Sequence, residues 1–297
     1  MADLAGIILD KEINDQDWKA QKQAERENTV AMRDAAATEI TSKPELYAKY
    51  LDMQGDNLTY SAGNVALVMA QAPDATIFGT PDRWAKLGRT VSPAEQDNPI
   101  KIFVRSNYGK AYNIGNAYDI SQTRGRDLHP RMLADGTPEM ETALKTLINH
   151  AVVPVEAKPE LTQPAYYDDA ALKLYINPDT PDSAAFATIA TEIALCRFHA
   201  KGAYDYDRAE NLLDAQSISY VMCKRFGIPT EKPDLSNLGA LYRGYTPDDR
   251  WHALSRIQEM GKKISGAIEN GIAPQQRSRA NNIQRRNQRP PMRSAAR

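Results

Sequence analysis

The residues with the most chemical promise lie on one helical stretch, Ala187 to His199, where Thr191, Glu192 and Leu195 take the spacing of the H-E-x-x-H motif. In that motif two histidines four residues apart share a helical face and grip zinc, while the glutamate activates a water molecule. Here the ligand positions are Thr191 and Leu195, and only the general base, Glu192, has the required side chain. Leucine has no lone pair to offer, and a neutral threonine hydroxyl is a poor ligand beside His, Cys or carboxylate. A third ligand would come from the next helix, Tyr206 to Phe226. Its facing positions, Leu212, Ala215, Gln216, Ser219 and Cys223, recur at spacings of three and four and include no carboxylate, with Glu210 and Asp214 off that stripe. A glutamate without a metal does not make hydroxide from water at neutral pH. The expectation is therefore no catalytic residue beyond the remnant Glu192, no metal and no cofactor. Two alternatives stay open. One is a C-x-x-H pair of Cys196 and His199, which lacks a second pair and otherwise reads as a buried thiol and a helix-end histidine. The other is a zinc metallopeptidase with non-standard ligands.

A second set of residues suits nucleic acid. Arg83, Trp84, Lys86 and Arg89 fall within seven residues, and Lys101 and Arg105 flank an expected strand. Single strands are held by cations that track phosphates and by aromatic faces that stack bases. Trp84 is the stacking candidate, or else a core residue closing a small helix on a sheet. Tyr60 and Tyr108 are further aromatic candidates or rim residues. Asn64 could touch a base or phosphate, or bond a neighbouring loop, and Asp119 fixes the turn that follows it. The last 24 residues, 274–297, hold seven arginines, Arg285 and Arg286 among them, and no acid, so the rest of the chain carries −8 of a formal net charge of −1. Such a tail reads as disordered, and as a salt-sensitive electrostatic arm for phosphates or a solvated tail with no partner.

The elements that must position these residues follow from the pattern. An exposed helix is expected over about 15–37, a second helix after Pro44 with Leu46, Tyr47, Tyr50, Leu51 and Met53 on one side, and a third capped by Ser61 and running to Gln71. A strand over 75–78, a short helix over 81–87 stopped by Gly88, and paired strands over 100–104 and 111–118 complete an α+β first half. In the second half, strands at 164–168 and 172–178 precede the two helices, and Pro247 opens a long helix striped by Trp251, Leu254, Ile257, Gly261, Ile264 and Ile268. The chain of 297 residues has 42% hydrophobic and 25% charged residues. It has no apolar run of the ~20 residues a membrane span needs and no signal-peptide pattern, which predicts a cytoplasmic protein without a membrane partner. Cys196 and Cys223 both fall in apolar helical pattern and read as buried thiols.

Four blocks carry a resemblance: S-x-x-N at Ser61 to Asn64, Q-x-P-x-A-T at Gln71 to Thr76, W-x-x-L-G-R-x-V at Trp84 to Val91, and D-x-S-Q-T at Asp119 to Thr123. In this order the chain resembles the N-terminal domain of ArdC-type antirestriction proteins, over about residues 40–125. Pro93 to Glu95 departs from the family's K-G-E and removes a lysine. The resemblance implies a single-stranded DNA-binding domain carried by a conjugative mobile element. The second half is similar to the zincin-like domain that often follows, in the form called LtrC-like. The implied fold class is α+β, an ArdC-like domain plus a mainly helical, degenerate zincin-like metallopeptidase domain. The implied layout is a helical extension at 1–40, the DNA-binding domain at 41–125, a linker at 126–136, the degenerate domain at 137–273 and the arginine tail at 274–297. Expected partners are single-stranded DNA and, for the inactive groove, a protein; a protein-binding scaffold is the remaining functional alternative.

Overall fold

The computed structural model describes residues 4–106, 111–130, 132–202 and 206–287, with side chains described from residue 10 to residue 274 within them. The chain order is α1 (Leu4–Ile40), α2 (Pro44–Asp56), α3 (Ala62–Gln71), β1 (Phe78–Gly79), α4 (Pro81–Lys86), β2 (Arg89–Val91), β3 (Ile100–Arg105), β4 (Tyr112–Asp119) and β5 (Thr123–Gly125). It continues with α5 (Pro138–Ile148), β6 (Val155–Ala157), β7 (Ala165–Asp168), β8 (Lys173–Ile176), α6 (Asp182–Lys201), α7 (Arg208–Phe226), α8 (Leu238–Leu241) and α9 (Pro247–Asn287). The fold is α+β. Two compact units emerge, one of residues 1–129 with 234–259 and one of residues 130–233 with 260–297. The first unit is thus discontinuous: it takes in α1 and the segment from Asp234 to Glu259, both outside the stretch 41–125 on which the resemblance rests.

In the first unit, β4 lies between β1 and β3, all antiparallel, and β2 pairs with β5. Helix α3 is apolar almost all round and is buried over Ala62 to Met69, as a central helix must be. Ser61 caps it by accepting from the Asn64 N–H. Its polar residues close the sheet. In the order β1-β4-β3 the strand β3 is an edge, and its outward backbone groups are met by two side-chain amides of α3. Asn64 donates to the Phe103 carbonyl at 2.8 Å and accepts from the Phe103 N–H at 2.9 Å; Gln71 does the same for Lys101, both at 2.9 Å. The amides complete the ladder that a neighbouring strand would otherwise complete, and so block edge pairing.

Helix α1 is longer than the pattern predicted. Its last third docks through small residues, Thr29, Ala36 and Ala37, with Ile40, whereas residues 10–24 are exposed. The strand expected over 75–78 shrinks to Phe78–Gly79, because side chains take its amides: Asp119 accepts from the Thr76 N–H and Asn57 from the Phe78 N–H. Gly63 meets Trp251, where an added Cβ would lie 2.7 Å from the indole. Arg33 covers the same indole at 5.2 Å.

In the second unit, β8 pairs parallel with β6 and antiparallel with β7, and α6 packs on this sheet and against α5 and α7. Phe186, Ile193, Leu195, Ile218 and Phe226 are fully buried. Helix α7 ends at Gly227, whose φ of +62° suits the left-handed cap that glycine adopts without strain. In the segment expected as a disordered tail from Pro274, the backbone is helical to Asn287 with Pro274 inside α9, while residues 288–297 lie outside the described residues. The buried stripe Ile264, Ile268 and Ile272 carries the helix up to that proline.

Candidate nucleic-acid interface

The first unit presents two large aromatic side chains to solvent on facing elements, Trp18 of α1 at 60% exposure and Tyr112 of β4 at 53%. Single exposed apolar residues are ordinary, whereas two aromatics facing one cleft form the kind of patch that marks a binding surface. Between them runs a cleft of about 580 Å³ lined by Trp18, Lys19, Lys22, Gln23, Glu25 and Arg26 from α1 and by Tyr112, Asn113 and Ile114 from β4. The spacing on α1 puts Trp18, Lys22 and Glu25 with Arg26 one above the other on a single face. Arg26 ties the two walls together by donating to the Tyr112 carbonyl at 3.0 Å.

The register of the hairpin places further groups beside that cleft. Lys101 pairs with Asn116, Phe103 with Ile114 and Arg105 with Tyr112, and directly opposed residues share a face. Lys101 reaches Asn116 Oδ1 at 3.0 Å and Glu25 at 3.7 Å, and Arg105 is exposed at the strand end. Glu25 also holds Lys22 at 2.8 Å, and chiefly this hydrogen bond, with Lys101 adding to it, keeps the Glu25 carboxyl below its usual value. Among the nine residues lining the cleft there are three cations and one carboxylate, so the cleft is a cationic slot with an aromatic at either wall.

The residues expected to bind nucleic acid divide sharply. Lys101 and Arg105 join the hairpin face just described. Trp84 does not: it is fully buried, and its indole N–H donates to the Tyr118 carbonyl at 3.0 Å. Arg89 is buried as well, with Nε on the Thr123 hydroxyl at 2.8 Å, Nη1 on the Arg126 carbonyl at 2.6 Å and Nη2 on the Thr123 carbonyl at 3.0 Å. Its charge is spent on carbonyls that no strand partner reaches, which is a bracing role. Asn64 is spent on β3. Tyr60 rests on Phe78 at 4.4 Å and under the Arg83 guanidinium at 4.9 Å, and its hydroxyl accepts from the Thr80 N–H. Arg83 also donates to Thr59, and Lys86 is exposed on α4. Tyr108 and the side chains of Arg285 and Arg286 lie outside the described residues. Sequence reasoning missed Trp18, Lys19, Lys22, Arg26 and Tyr112. The available signal was a lone tryptophan in a Lys/Glu/Gln-rich helix with cations one and two turns on.

The second unit resolves the Glu192 question in geometric terms. Glu192 is buried; it accepts from the Tyr167 N–H at 2.8 Å and pairs with Arg208 Nη2 at 2.6 Å. Burial works against the Arg208 charge, but the Glu192 carboxylate outweighs it and holds the guanidinium above its usual value. Arg208 also donates to the Tyr167 carbonyl and lies over Tyr166 at 5.1 Å. At the two ligand positions, Thr191 donates to the Ala187 carbonyl and Leu195 is fully buried. His199 Nδ1 is engaged by the Tyr167 hydroxyl at 2.7 Å and its ring stacks on Tyr206 at 4.3 Å. Burial pushes both phenols, Tyr167 and Tyr206, up to about 12. A fixed guanidinium where a cation would sit, an apolar ligand position and an occupied histidine do not fit a zinc centre. Cys196 Sγ donates to the Ile193 carbonyl, and burial raises its thiol. No group of three or more His, Cys, Asp or Glu suited to a metal occurs among the described residues. Asp214, expected off the facing stripe of α7, is nevertheless buried. An open cleft of this unit, about 500 Å³, is lined by α5 residues with Gly136, Thr137 and Asp182, and not by Glu192 or Arg208.

An α+β chain with a cationic, aromatic-walled cleft on one unit is the class that the fold and site define. No family model matches the chain and no curated protein matches its sequence. Among solved structures it is similar to the antirestriction ArdC protein from the R388 plasmid, in a metal-free structure (14% identity, 72% of this chain and 86% of that chain, TM-score 0.45) and in a Mn(II)-bound one (15%, 72%, 85%, 0.43). At this identity and score the likeness carries no functional argument. No helix among the described residues is long and apolar enough to cross a membrane.

Proposed function

We propose that the protein is a single-stranded DNA-binding, antirestriction-like protein of a conjugative mobile element, acting in the cytoplasm, and that its second unit is a pseudoenzyme. The observation that carries the binding function is the cleft between α1 and β4, with Trp18 and Tyr112 exposed and Lys19, Lys22 and Arg26 between them. Unstacked bases offer faces to aromatic side chains and their phosphates seek cations, whereas a duplex hides the faces. The antirestriction role rests on the four sequence blocks. The pseudoenzyme reading is supported by the Glu192–Arg208 pair, which takes the carboxylate a hydrolase would need.

Fluorescence anisotropy with labelled single- and double-stranded oligonucleotides over a salt series tests this. The single strand binds more tightly, and Trp18→Ala or Tyr112→Ala weakens it by about 5- to 150-fold, the range expected from 1–3 kcal/mol per lost stack. Equal affinity for duplex, or affinity indifferent to both substitutions, contradicts the proposal. Ending the chain at Ala273 tests the arginine-rich segment with Arg285 and Arg286: affinity falls and the salt slope flattens, while the preference for single strands stays.

A further inference from the structure

Lys22 and Lys101 come from different elements, a helix and a strand distant in sequence, and converge on one carboxylate. Glu25 Oε2 faces Lys22 at 2.8 Å and Glu25 Oε1 faces Lys101 at 3.7 Å. The carboxylate is half-exposed, at 29%, and belongs to the lining of two adjoining clefts. The second of these, about 420 Å³, is formed by Gln21, Asn28 and Met32 of α1 with Gln71 and Lys101. Glu25 therefore stands where the two clefts adjoin, one oxygen presented to each of two ammonium groups. This is the arrangement of a phosphodiester, whose pair of non-bridging oxygens carries one negative charge.

We propose that Lys22 and Lys101 form a phosphodiester subsite that Glu25 occupies in the free protein as an internal counterion. The inference rests on the single-strand reading above and adds to it the position of one phosphate. On binding, the strand displaces Glu25: its ion pairs with the lysines break, the phosphate takes both ammonium groups, and the Glu25 side chain turns to solvent, which its exposure allows. The carboxylate thereby keeps the lysines ordered and lowers affinity for anions that cannot also engage Trp18 and Tyr112. Exposed ion pairs are individually weak, so displacement is cheap.

The test uses the full chain and a fluorescein-labelled oligothymidylate. Glu25→Gln removes the charge and keeps the shape; Glu27→Gln removes an equal charge from the same exposed helix, where Glu27 accepts from the Gln23 side-chain amide and lines neither cleft. Glu25→Gln raises affinity about 3- to 10-fold at low salt, the size of one unit charge a few ångströms away in a watery dielectric. The dependence of log affinity on log salt steepens, by about 0.7 for each phosphate contact newly expressed. Glu27→Gln leaves both unchanged, and Lys22→Gln with Lys101→Gln abolishes the gain. Equal effects of Glu25→Gln and Glu27→Gln, or no effect of Glu25→Gln in a protein whose binding still requires Trp18, overturn the subsite alone. Binding indifferent to Glu25, Trp18 and Tyr112 together overturns the reading beneath it as well.

Discussion

Replacing Arg208 with methionine should unlock the second unit. In the structure Glu192 is 5% exposed, and its carboxylate has two partners: the Arg208 guanidinium at 2.6 Å and the Tyr167 N–H at 2.8 Å. Removing the guanidinium leaves a buried charge with a single backbone donor. Breaking a buried pair in this way costs about 3–5 kcal/mol; because the Arg208 side chain is 29% exposed and water can enter behind it, about 2–4 kcal/mol is the working figure. For a unit of this size that lowers the melting temperature by about 5–15 °C. Glu192→Leu combined with Arg208→Met recovers most of the loss, since apolar replacement of both partners is often neutral. Hydrogen exchange followed by mass spectrometry on α6 and α7 peptides, together with thermal unfolding, reads the effect where it arises. An Arg208→Met protein with unaltered α6 protection would refute the reasoning, because Glu192 would then have been a solvated, available carboxylate all along.

Three other outcomes are expected. Trp84→Ala lowers stability by about 3–5 kcal/mol in urea titrations, the range for deleting a buried large aromatic, whereas Trp84→Phe, which stays folded, leaves single-strand affinity within twofold of wild type if anisotropy is compared at one salt. Cys223, fully buried with its thiol pushed up to about 12 by burial, and Cys196, also fully buried in the same unit, do not react with Ellman's reagent until denaturant is added. Burial holds the Tyr167 and Tyr206 phenols neutral up to about 12 in the folded state, against about 10 unfolded. The unfolded chain thus releases protons first as pH rises, so stability is full below about pH 10 and falls between about pH 10 and 12; Tyr206→Phe flattens that fall in an alkaline series of melting temperatures.

Much of the architecture was legible because it follows from local rules. Ser61 before an apolar run, Pro44 and Pro81 at first helical turns, Gly88 at φ +74° and Gly227 at +62° each say where an element starts or stops. The remnant spacing around Glu192 was equally readable, since Thr191 and Leu195 lack the donor side chains of the zinc motif whatever fold surrounds them. What the sequence concealed is which polar residues the fold uses internally. Trp84, Arg89 and Asn64 carry the right chemistry for nucleic acid, and all three are consumed by backbone groups brought near only in three dimensions. The blocks that carry the family resemblance thereby mark a scaffold: Asn64 and Gln71 close the edge of β3, Asp119 accepts from the Thr76 N–H and Ser121 N–H, and Arg89 braces the turn after β5. The cleft escaped notice for the opposite reason. Its halves are distant in sequence, Trp18 on a helix of weak pattern and Tyr112 at the start of a strand, and neither half says alone that it faces the other.

The most direct measurement of the central claim is intrinsic tryptophan fluorescence during titration with oligothymidylate. Of the three tryptophans, Trp18 is exposed, Trp84 is fully buried and Trp251 is packed between Gly63 and Arg33. Bases stacked in the cleft quench the solvent-exposed, red-shifted component, and that quenching disappears in Trp18→Phe while the anisotropy-detected affinity drops. Quenching that persists unchanged in Trp18→Phe would place the strand elsewhere and contradict the account.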